Sequence, residues 1–395
     1  DEWKTNFAFR KFSTAKQNGA NILLLNNNPF EIKAVSYIDD YNQVNQTLSA
    51  GRLEDDFNLI KTLGANVVRM KYNAPHPYFA NLCDEKGMIL FLDLPVYDAP
   101  ASVINTNEIK VFMQNYAKQL MLNYDSHPSV FAYGVSDGVV EGTEASSKYF
   151  GLLTSVFKNQ TEKLIYKIIP FGSSAVDVKN FDFIGLRNLK QKIDLKFVEE
   201  EFIRNKSLIG DKPLFMSYGA LIQPKNHNGY ADPLSIEFQA YTISNIYKIV
   251  TAQQGCGSII NTFNDYNLNS PILITDNSDL YLASSGLMDR NRRQRLSYST
   301  VQALFNDEKE PLLNAGSFTE KTPFSFIIAG FVLGIAVILL INRFKRFREY
   351  MFRSILRPYN FYADIRDQRI MSSFQTIFLG SITAFTLGLY LTSIL

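Results

Sequence analysis

Apolar segments of strand length alternate with amphipathic segments of helical length between residues 31 and 305. A strand that is apolar along its whole length is buried on both faces, which is typical of a parallel sheet covered by helices. Eight such strands, alternating with helical segments, predict a (β/α)8 TIM barrel. An open doubly wound sheet is disfavoured, because no glycine-rich phosphate turn follows the first segment. The predicted strands are residues 31–37, 66–72, 88–94, 130–136, 164–171, 182–187, 213–219 and 257–263. The predicted helices are residues 52–63, 77–85, 107–124, 145–159, 195–205, 233–254 and 293–305.

Two uncharged segments follow the barrel. Residues 324–341 and 374–395 contain no charged side chain, and each is long enough to cross a bilayer as a helix. We therefore predict transmembrane helices at 324–342 and 374–395, with the lipid bilayer as a partner. Residues 307–323, with Pro311, Gly316 and Pro323, are predicted to form a linker.

The connector between these segments, residues 343–373, contains eight Arg and Lys residues against three acidic ones. Positive charge concentrates in cytoplasmic loops of membrane proteins, so the connector is predicted to be cytoplasmic and the barrel extracytoplasmic. Segment 357–367 weakly resembles the entry to Yip-type membrane domains. This hint is restricted to one short stretch.

Composition excludes several classes of function. A net charge of +2 argues against a nucleic-acid partner. Three His and two Cys residues without a cluster argue against a structural zinc site, and we expect neither a metal nor a cofactor. The first residues show no signal peptide and no initiator Met, so the chain is expected to be processed or a fragment.

Several barrel motifs occur in a characteristic order. They are Leu25-Asn-Asn-Asn-Pro29, a Gly64-Ala-Asn-Val-Val-Arg69 strand entry, Leu82-Cys-Asp-Glu-Lys-Gly87, His127-Pro-Ser-Val130 and a segment at 286–298. Together they resemble the barrel of glycoside hydrolase family 2, the β-galactosidase and β-glucuronidase family. The resemblance covers roughly residues 7–305. It implies a TIM-barrel domain at 23–306, preceded at 1–22 by the tail of a β-sandwich domain.

The resemblance assigns two catalytic Glu residues, a proton donor after the fourth barrel strand and a nucleophile after the seventh. The aligned positions here are Gly138, which follows Asp137, and Ser217. A retaining glycosidase needs two carboxyl groups about 5 Å apart. Glycine transfers no proton, and a serine hydroxyl is not ionised near neutral pH. The sequence therefore predicts that no catalytic pair is intact.

Other positions of the family site also differ. The sugar-stacking Trp of the eighth strand corresponds to Asn261, the Asn-x-Tyr after strand six to Arg187-Asn-Leu189, and a His of strand two to Tyr72. Arg69 is expected to pair with Asp93 or Asp265. The residual substrate-binding cleft is predicted to contain Arg69, Tyr72, Asp93, Tyr133, Arg187, Tyr218, Asn261 and Asp265.

Three functions fit these features. The first is a membrane-anchored, catalytically inactive barrel that binds a glycan or acts as a scaffold outside the cytoplasm. The second is an active glycoside hydrolase with a relocated acid, Asp137 or Glu141. The third is a component of a membrane complex, with unknown protein partners, in which the barrel is a sensor or docking module.

Overall fold

The computed structural model describes residues 9–17, 19–39, 49–173, 176–188, 194–268, 270–272, 279–319, 324–367 and 373–394. The chain divides into two compact units, Asp1–Phe318 and Thr319–Leu395. Leu189, the last residue of the motif predicted after strand six, lies outside the described residues.

A short antiparallel sheet precedes the barrel. It consists of β1 (Phe12–Gln17), β2 (Ala20–Leu25) and β3 (Asn28–Phe30). The rings of Phe12 and Phe30 lie 4.3 and 5.6 Å from that of Phe131 inside the barrel, so this sheet covers the barrel floor. The predicted domain boundary at residue 22 falls within β2.

Eight parallel strands close into a barrel, which confirms the predicted architecture. Neighbours follow chain order, and the last strand pairs with the first through Gly257 opposite Ile32. Nearly every strand residue is buried, because side chains on one face fill the barrel and those on the other pack beneath the helices. The strands are β4 (Ile32–Tyr37), β5 (Val67–Met70), β6 (Ile89–Asp93), β7 (Val130–Asp137), β8 (Leu164–Pro170), β9 (Phe183–Arg187), β10 (Leu214–Tyr218) and β11 (Gly257–Ile260).

Helices surround the barrel at the predicted places. Polar residues define their starts: Ser49, Thr106, Thr143 and Ser235 each accept a backbone N–H of the first turn. The short α3 was not predicted, and two short strands, β12 (Tyr266–Asn267) and β13 (Leu282–Ala283), follow β11. The helices are α1 (Ala50–Thr62), α2 (Pro77–Lys86), α3 (Ala101–Ile104), α4 (Asn107–Tyr124), α5 (Glu144–Lys158), α6 (Leu195–Ile209), α7 (Ile236–Ala252) and α8 (Leu296–Phe305).

The described part of the predicted linker, residues 307–319, contacts the barrel. The backbone carbonyls of Asn314 and Ala315 accept N–H groups of Tyr230 and Ala231 at 2.9 and 3.0 Å. Glu310 pairs with Lys248 at 2.7 Å. The first part of the predicted linker is therefore bound to the barrel surface.

The second unit is helical, with α9 (Phe324–Arg343), α10 (Lys345–Leu356), α11 (Pro358–Arg366) and α12 (Ser373–Ile394). Among the described residues, α9 is the one helix long and apolar enough to cross a membrane. The apolar part found in α12, Gly380–Leu391, is shorter than a span. The second transmembrane helix therefore stays a prediction. The basic connector is largely helical, as α10 and α11 show.

A buried ion pair fastens the segment before α8 to α1. Arg292 Nε and Nη2 lie 2.7 and 2.8 Å from Asp56 Oδ1 and Oδ2, and Tyr37 Oη donates to Asp56 Oδ2 at 2.8 Å. The fully buried carboxylate thus joins β4, α1 and the segment that closes the barrel. Tyr37 comes from the preceding strand, whereas Arg292 is 236 residues away in the chain.

We predict that Asp56→Ala lowers the free energy of unfolding by about 3–5 kcal/mol, because it leaves the Arg292 charge buried without its partner. Denaturant unfolding followed by circular dichroism measures the change. Glu200→Ala is the matched control, since Glu200 forms an exposed pair with Lys196 at 3.8 Å, and should cost less than about 1 kcal/mol. Equal effects of the two changes would show that the buried pair does not fasten the fold.

Candidate functional site at the barrel mouth

Arg69 lies at the centre of the site and is completely buried. It projects from β5 and donates to Asp93 Oδ2 from Nε at 2.9 Å and from Nη2 at 2.5 Å. The same Nη2 donates to Asp137 Oδ2 at 2.7 Å. Asp93 and Asp137 both terminate their strands, so the guanidinium joins the ends of β5, β6 and β7. The expected pairing of Arg69 with Asp93 is present.

Asp137 also pairs with Arg187 at the end of β9, whose Nε lies 3.0 Å from Asp137 Oδ1. Burial disfavours the charged carboxyl, but the positive charges of Arg69, Arg187 and Lys71 outweigh it and hold the pKa of Asp137 below its ordinary value. The group is therefore ionised at neutral pH. A proton donor must be protonated at the working pH, so Asp137 is unsuited to that role.

Gly138, the position that the resemblance assigns to the acid, is crowded by an ion pair. Arg187 Nη2 contacts Asp98 Oδ1 beside it, and a Cβ at Gly138 would overlap both of these atoms. Its φ of +84° also lies in the left-handed region that favours glycine. A side chain at this position would collide with the Asp98–Arg187 pair. It would also require a backbone conformation that residues other than glycine rarely adopt.

Ser217, at the assigned nucleophile position in β10, is buried and hydrogen bonded as an acceptor. Asn261 Nδ2 donates to Ser217 Oγ at 2.7 Å, and Arg69 Nη1 lies 3.5 Å away. Ser36 Oγ in turn donates to Asn261 Oδ1 at 2.6 Å. None of the described contacts of Ser217 Oγ is with a base that could remove its proton.

Asp265 belongs to a separate ion pair. Arg295 Nη1 and Nη2 lie 2.7 and 2.5 Å from its two carboxylate oxygens, and the Gly286 N–H donates to Oδ1 at 2.9 Å. This bidentate pair fixes the segment between β11 and α8. The alternative expectation, that Arg69 pairs with Asp265, is therefore not what the structure contains.

Glu141 is engaged outside the centre of the site. Lys167 Nζ contacts Glu141 Oε2 at 2.7 Å, and the same Nζ lies 4.2 Å and 4.7 Å from the ring centres of Phe150 and Phe181. Burial raises the pKa of Glu141 and outweighs the opposing effect of Lys167. These contacts hold the carboxyl in the layer between the barrel and α5.

Two tyrosines predicted for the cleft point away from it. Tyr133 stacks on Phe157 of α5, with ring centres 5.0 Å apart, and its hydroxyl donates to Asp125. Its neighbour Gly134 faces the barrel interior, where a Cβ would meet Asp93. Adjacent strand residues face opposite sides, so Tyr133 faces the helices. Tyr218 also packs in the core between strands and helices, although it borders the cavity described next.

A cavity of about 280 Å³ opens beside these residues. Its lining includes Arg187, Asn261 and Tyr218 of the predicted cleft. It also includes Lys71 and Tyr266, which sequence reasoning missed. Lys71 lies two positions after Arg69, directly beyond the end of β5. Side chains at i and i+2 share a face, so this spacing could have identified it.

Aromatic rings surround the Lys71 ammonium. Its Nζ lies 5.1, 5.4 and 5.9 Å from the ring centres of Tyr72, Tyr97 and Tyr266. Tyr72 contacts Tyr97 with ring centres 4.3 Å apart, and the Tyr97 hydroxyl donates to Asp93 Oδ2 at 3.2 Å. The predicted residue Tyr72 is therefore part of the site and lies beside Lys71.

Two of the motifs have a structural role at the opposite end of β7. His127 Nδ1 lies 2.6 Å from Asp84 Oδ2, and the Ser129 N–H donates to Asp84 Oδ1 at 2.8 Å. The Leu-Cys-Asp and His-Pro-Ser motifs thus contact each other and join α2 to the start of β7. They identify the fold and do not contribute to the barrel mouth.

Comparison with known proteins agrees with this architecture. Residues 17–158 match the model of the glycosyl hydrolases family 2 TIM-barrel domain. The barrel is family 2-like. The chain is 25% identical over 186 residues to a beta-galactosidase of Thermoanaerobacterium thermosulfurigenes, covering 47% of this chain and 25% of the relative. It is 22% identical to a beta-glucuronidase of Mus musculus, covering 69% and 44%.

Solved structures share the fold of the family 2-like barrel. A GH2 beta-galacturonidase from Eisenbergiella tayi bound to galacturonate superimposes with a TM-score of 0.67 at 19% identity, covering 78% of this chain and 55% of that one. A b-glucuronidase from Ruminococcus gnavus in complex with D-glucaro 1,5-lactone gives 0.68 at 15%, covering 76% and 53%. The chain spans less than half of the two curated relatives and about half of these solved chains.

The crowding at Gly138 can be separated from its backbone conformation. Gly87 has a similar φ of +79°, but a Cβ there would meet no atom within 4 Å. We predict that Gly138→Ala lowers the free energy of unfolding by about 1–3 kcal/mol more than Gly87→Ala, because only the former forces the Asp98–Arg187 pair to move. Thermal unfolding of both variants measures the difference. Equal losses of stability in the two variants would mean that displacing the Asp98–Arg187 pair costs no measurable free energy.

Proposed function

We propose that this protein is a membrane-anchored, family 2-like barrel that does not hydrolyse glycosides and that serves outside the cytoplasm in glycan binding or as a scaffold. The observation that carries the proposal is the Asp98–Arg187 ion pair beside Gly138. It fills the place where a family 2 enzyme would hold its proton donor. The activities named for the relatives are those of proteins that this chain only partly covers.

Asp93 and Asp137 lie close together at the barrel mouth but do not form a hydrolytic pair. Asp93 Oδ2 and Asp137 Oδ2 lie 2.5 and 2.7 Å from the same Arg69 Nη2, which places them within the separation that a retaining enzyme uses. The guanidinium lies between them and is completely buried. One carboxyl of a catalytic pair must carry a proton, whereas Arg69 and Arg187 favour the ionised form of Asp137.

We predict that the purified protein hydrolyses no member of a panel of nitrophenyl glycosides above the uncatalysed rate, from pH 4 to 8. Asp137→Asn is the control, because it removes the carboxyl next to Gly138, the position of the lost acid, without changing the size of the side chain. Turnover that Asp137→Asn abolishes would overturn the proposal in favour of a relocated acid. Turnover that persists in this variant would place hydrolysis at another site or in a contaminant.

The size of the cavity limits the ligand. Ligand sites commonly measure about 300–1,000 Å³, and the cavity at the barrel mouth is about 280 Å³. One small ring fits this volume, whereas an oligosaccharide would have to extend beyond it. Titration against a glycan array separates the two versions of the proposal: binding of a terminal sugar supports the glycan-binding role, and no binding leaves the scaffold.

The membrane part of the proposal is supported by the length and composition of α9, the second apolar segment and the basic connector. A connector rich in Arg on the cytoplasmic side requires the barrel on the opposite side when one helix separates them. The native thiols, Cys83 and Cys256, are buried. Introduced cysteines can therefore report the topology without a competing signal.

We predict that a membrane-impermeant maleimide labels Lys225→Cys, on the barrel surface, in intact cells. Glu349→Cys, in the connector, should be labelled only after the membrane is permeabilised. Both positions are exposed. Labelling of both variants in intact cells, or of neither, would contradict the proposed orientation. The unsubstituted protein is the control for reaction at the two native thiols.

A further inference from the structure

We propose that the cavity at the barrel mouth binds a small ligand made of a carboxylate and a short apolar body, and that the Lys71 ammonium is the counter-ion of the carboxylate. This inference goes beyond the proposed function, because the ligand that it assigns to the cavity is not a glycan; of the two versions of that function, it favours the scaffold. It rests on three features of the cavity: an unpaired lysine, the charge of the wall and the distribution of apolar residues.

The first feature is that the Lys71 ammonium has no acceptor among the described residues. Its side chain is 6% exposed and borders the cavity. The rings of Tyr72, Tyr97 and Tyr266 favour a cation but accept none of its three N–H groups as a carboxylate would. A buried charged donor without an acceptor is unfavourable, and an anionic ligand would remove that deficit.

The second feature is the charge of the cavity wall. Lys71 and Arg187 are cations, and no Asp or Glu occurs among the described residues that line the cavity. The nearby carboxylates are already engaged, since Asp137 is paired with Arg69 and Arg187, and Asp98 with Arg187. Arg187 is likewise held by Asp137 and Asp98, so Lys71 is the cation of the described lining that has no carboxylate partner there. An anion can bind it without displacing an existing ion pair.

The third feature is the apolar wall. Leu221, Leu268, Ile272 and Ala283 line the cavity together with Lys71. The amide of Asn261 is already used, because its Nδ2 donates to Ser217 and its Oδ1 accepts from Ser36. A ligand rich in hydroxyl groups would lose hydration against aliphatic carbon. A carboxylate with a short hydrocarbon body matches both the cationic and the aliphatic residues of the lining.

The charge on Lys71 sets the pH range of binding. Burial lowers its pKa to about 8, with Asp137 and Asp98 opposing that shift and Arg69 and Arg187 adding to it. Burial raises the pKa of the facing tyrosines, Tyr72, Tyr97 and Tyr266, so they stay neutral in this range. Lys71 therefore carries its charge below pH 8 and loses it above. The affinity for a carboxylate should therefore decrease as the pH rises above 8.

The test is calorimetric titration of the full chain in detergent micelles with hexanoate and with its neutral isostere hexanamide. At pH 6.5 we expect hexanoate to bind about 10- to 100-fold more tightly, the range that a charge-assisted hydrogen bond provides. At pH 9.5 this preference should fall by about tenfold or more, since most of the free protein then has a neutral Lys71. Equal affinities at pH 6.5, or no binding of hexanoate, would overturn the inference.

Lys71→Met keeps the length of the side chain and removes the charge, so it should abolish both the preference for hexanoate and its pH dependence. Lys71→Arg should prefer hexanoate at both pH 6.5 and pH 9.5, because arginine stays protonated. Lys225→Met, at an exposed lysine, is the matched control and should change nothing. An unaltered preference in Lys71→Met, with circular dichroism showing a folded protein, would overturn the assignment of Lys71.

Glucuronate and glucose form a second pair of probes. Tighter binding of glucuronate than of hexanoate would overturn the apolar body of the ligand. Failure of this inference differs from failure of the proposed function: hydrolysis of nitrophenyl glycosides bears on the function alone, and equal binding of hexanoate and hexanamide bears on the ligand alone.

Discussion

The buried guanidinium of Arg69 is the interaction on which the barrel mouth depends. A charge without solvent is tolerated only when carboxylates and hydrogen bonds surround it, and Arg69 has Asp93 and Asp137 as direct partners. Asp137 also pairs with Arg187 at the end of β9, and Arg187 in turn contacts Asp98. That last pair occupies the space beside Gly138. One buried cation thus organises the ends of four strands and determines what the neighbouring positions accommodate.

The barrel fold and the arrangement of the mouth depend on different contacts. The motifs that identify the fold act away from the mouth, as in the contact of Asp84 with His127 and Ser129. The residues at the strand ends can therefore change without loss of the barrel. Here they form a set of ion pairs beside a small cavity, and the Lys71 ammonium at that cavity has no acceptor among the described residues.

Sequence reasoning located the eight strands to within a few residues, because continuous apolar segments between helical ones have few alternative arrangements. It was less successful with individual side chains. Tyr133 was expected in the cleft, but it packs on Phe157. Lys71 was missed, although its spacing from Arg69 places both on one face. The connector after α9 was expected as a basic loop and contains two helices. Which face a residue takes depends on strand register, and composition does not reveal it.

By itself, the sequence determined the order of strands and helices, the TIM-barrel class, the absence of Glu at positions 138 and 217, and an uncharged segment long enough to cross a bilayer. These properties depend on local periodicity and residue identity, so they can be read along the chain. Only the tertiary structure decided that Asp137 forms ion pairs with Arg69 and Arg187, that the Asp98–Arg187 pair crowds Gly138, and that Lys71 borders a cavity with no acceptor among the described residues. These contacts join residues far apart in the chain, and barrel closure alone brings them together.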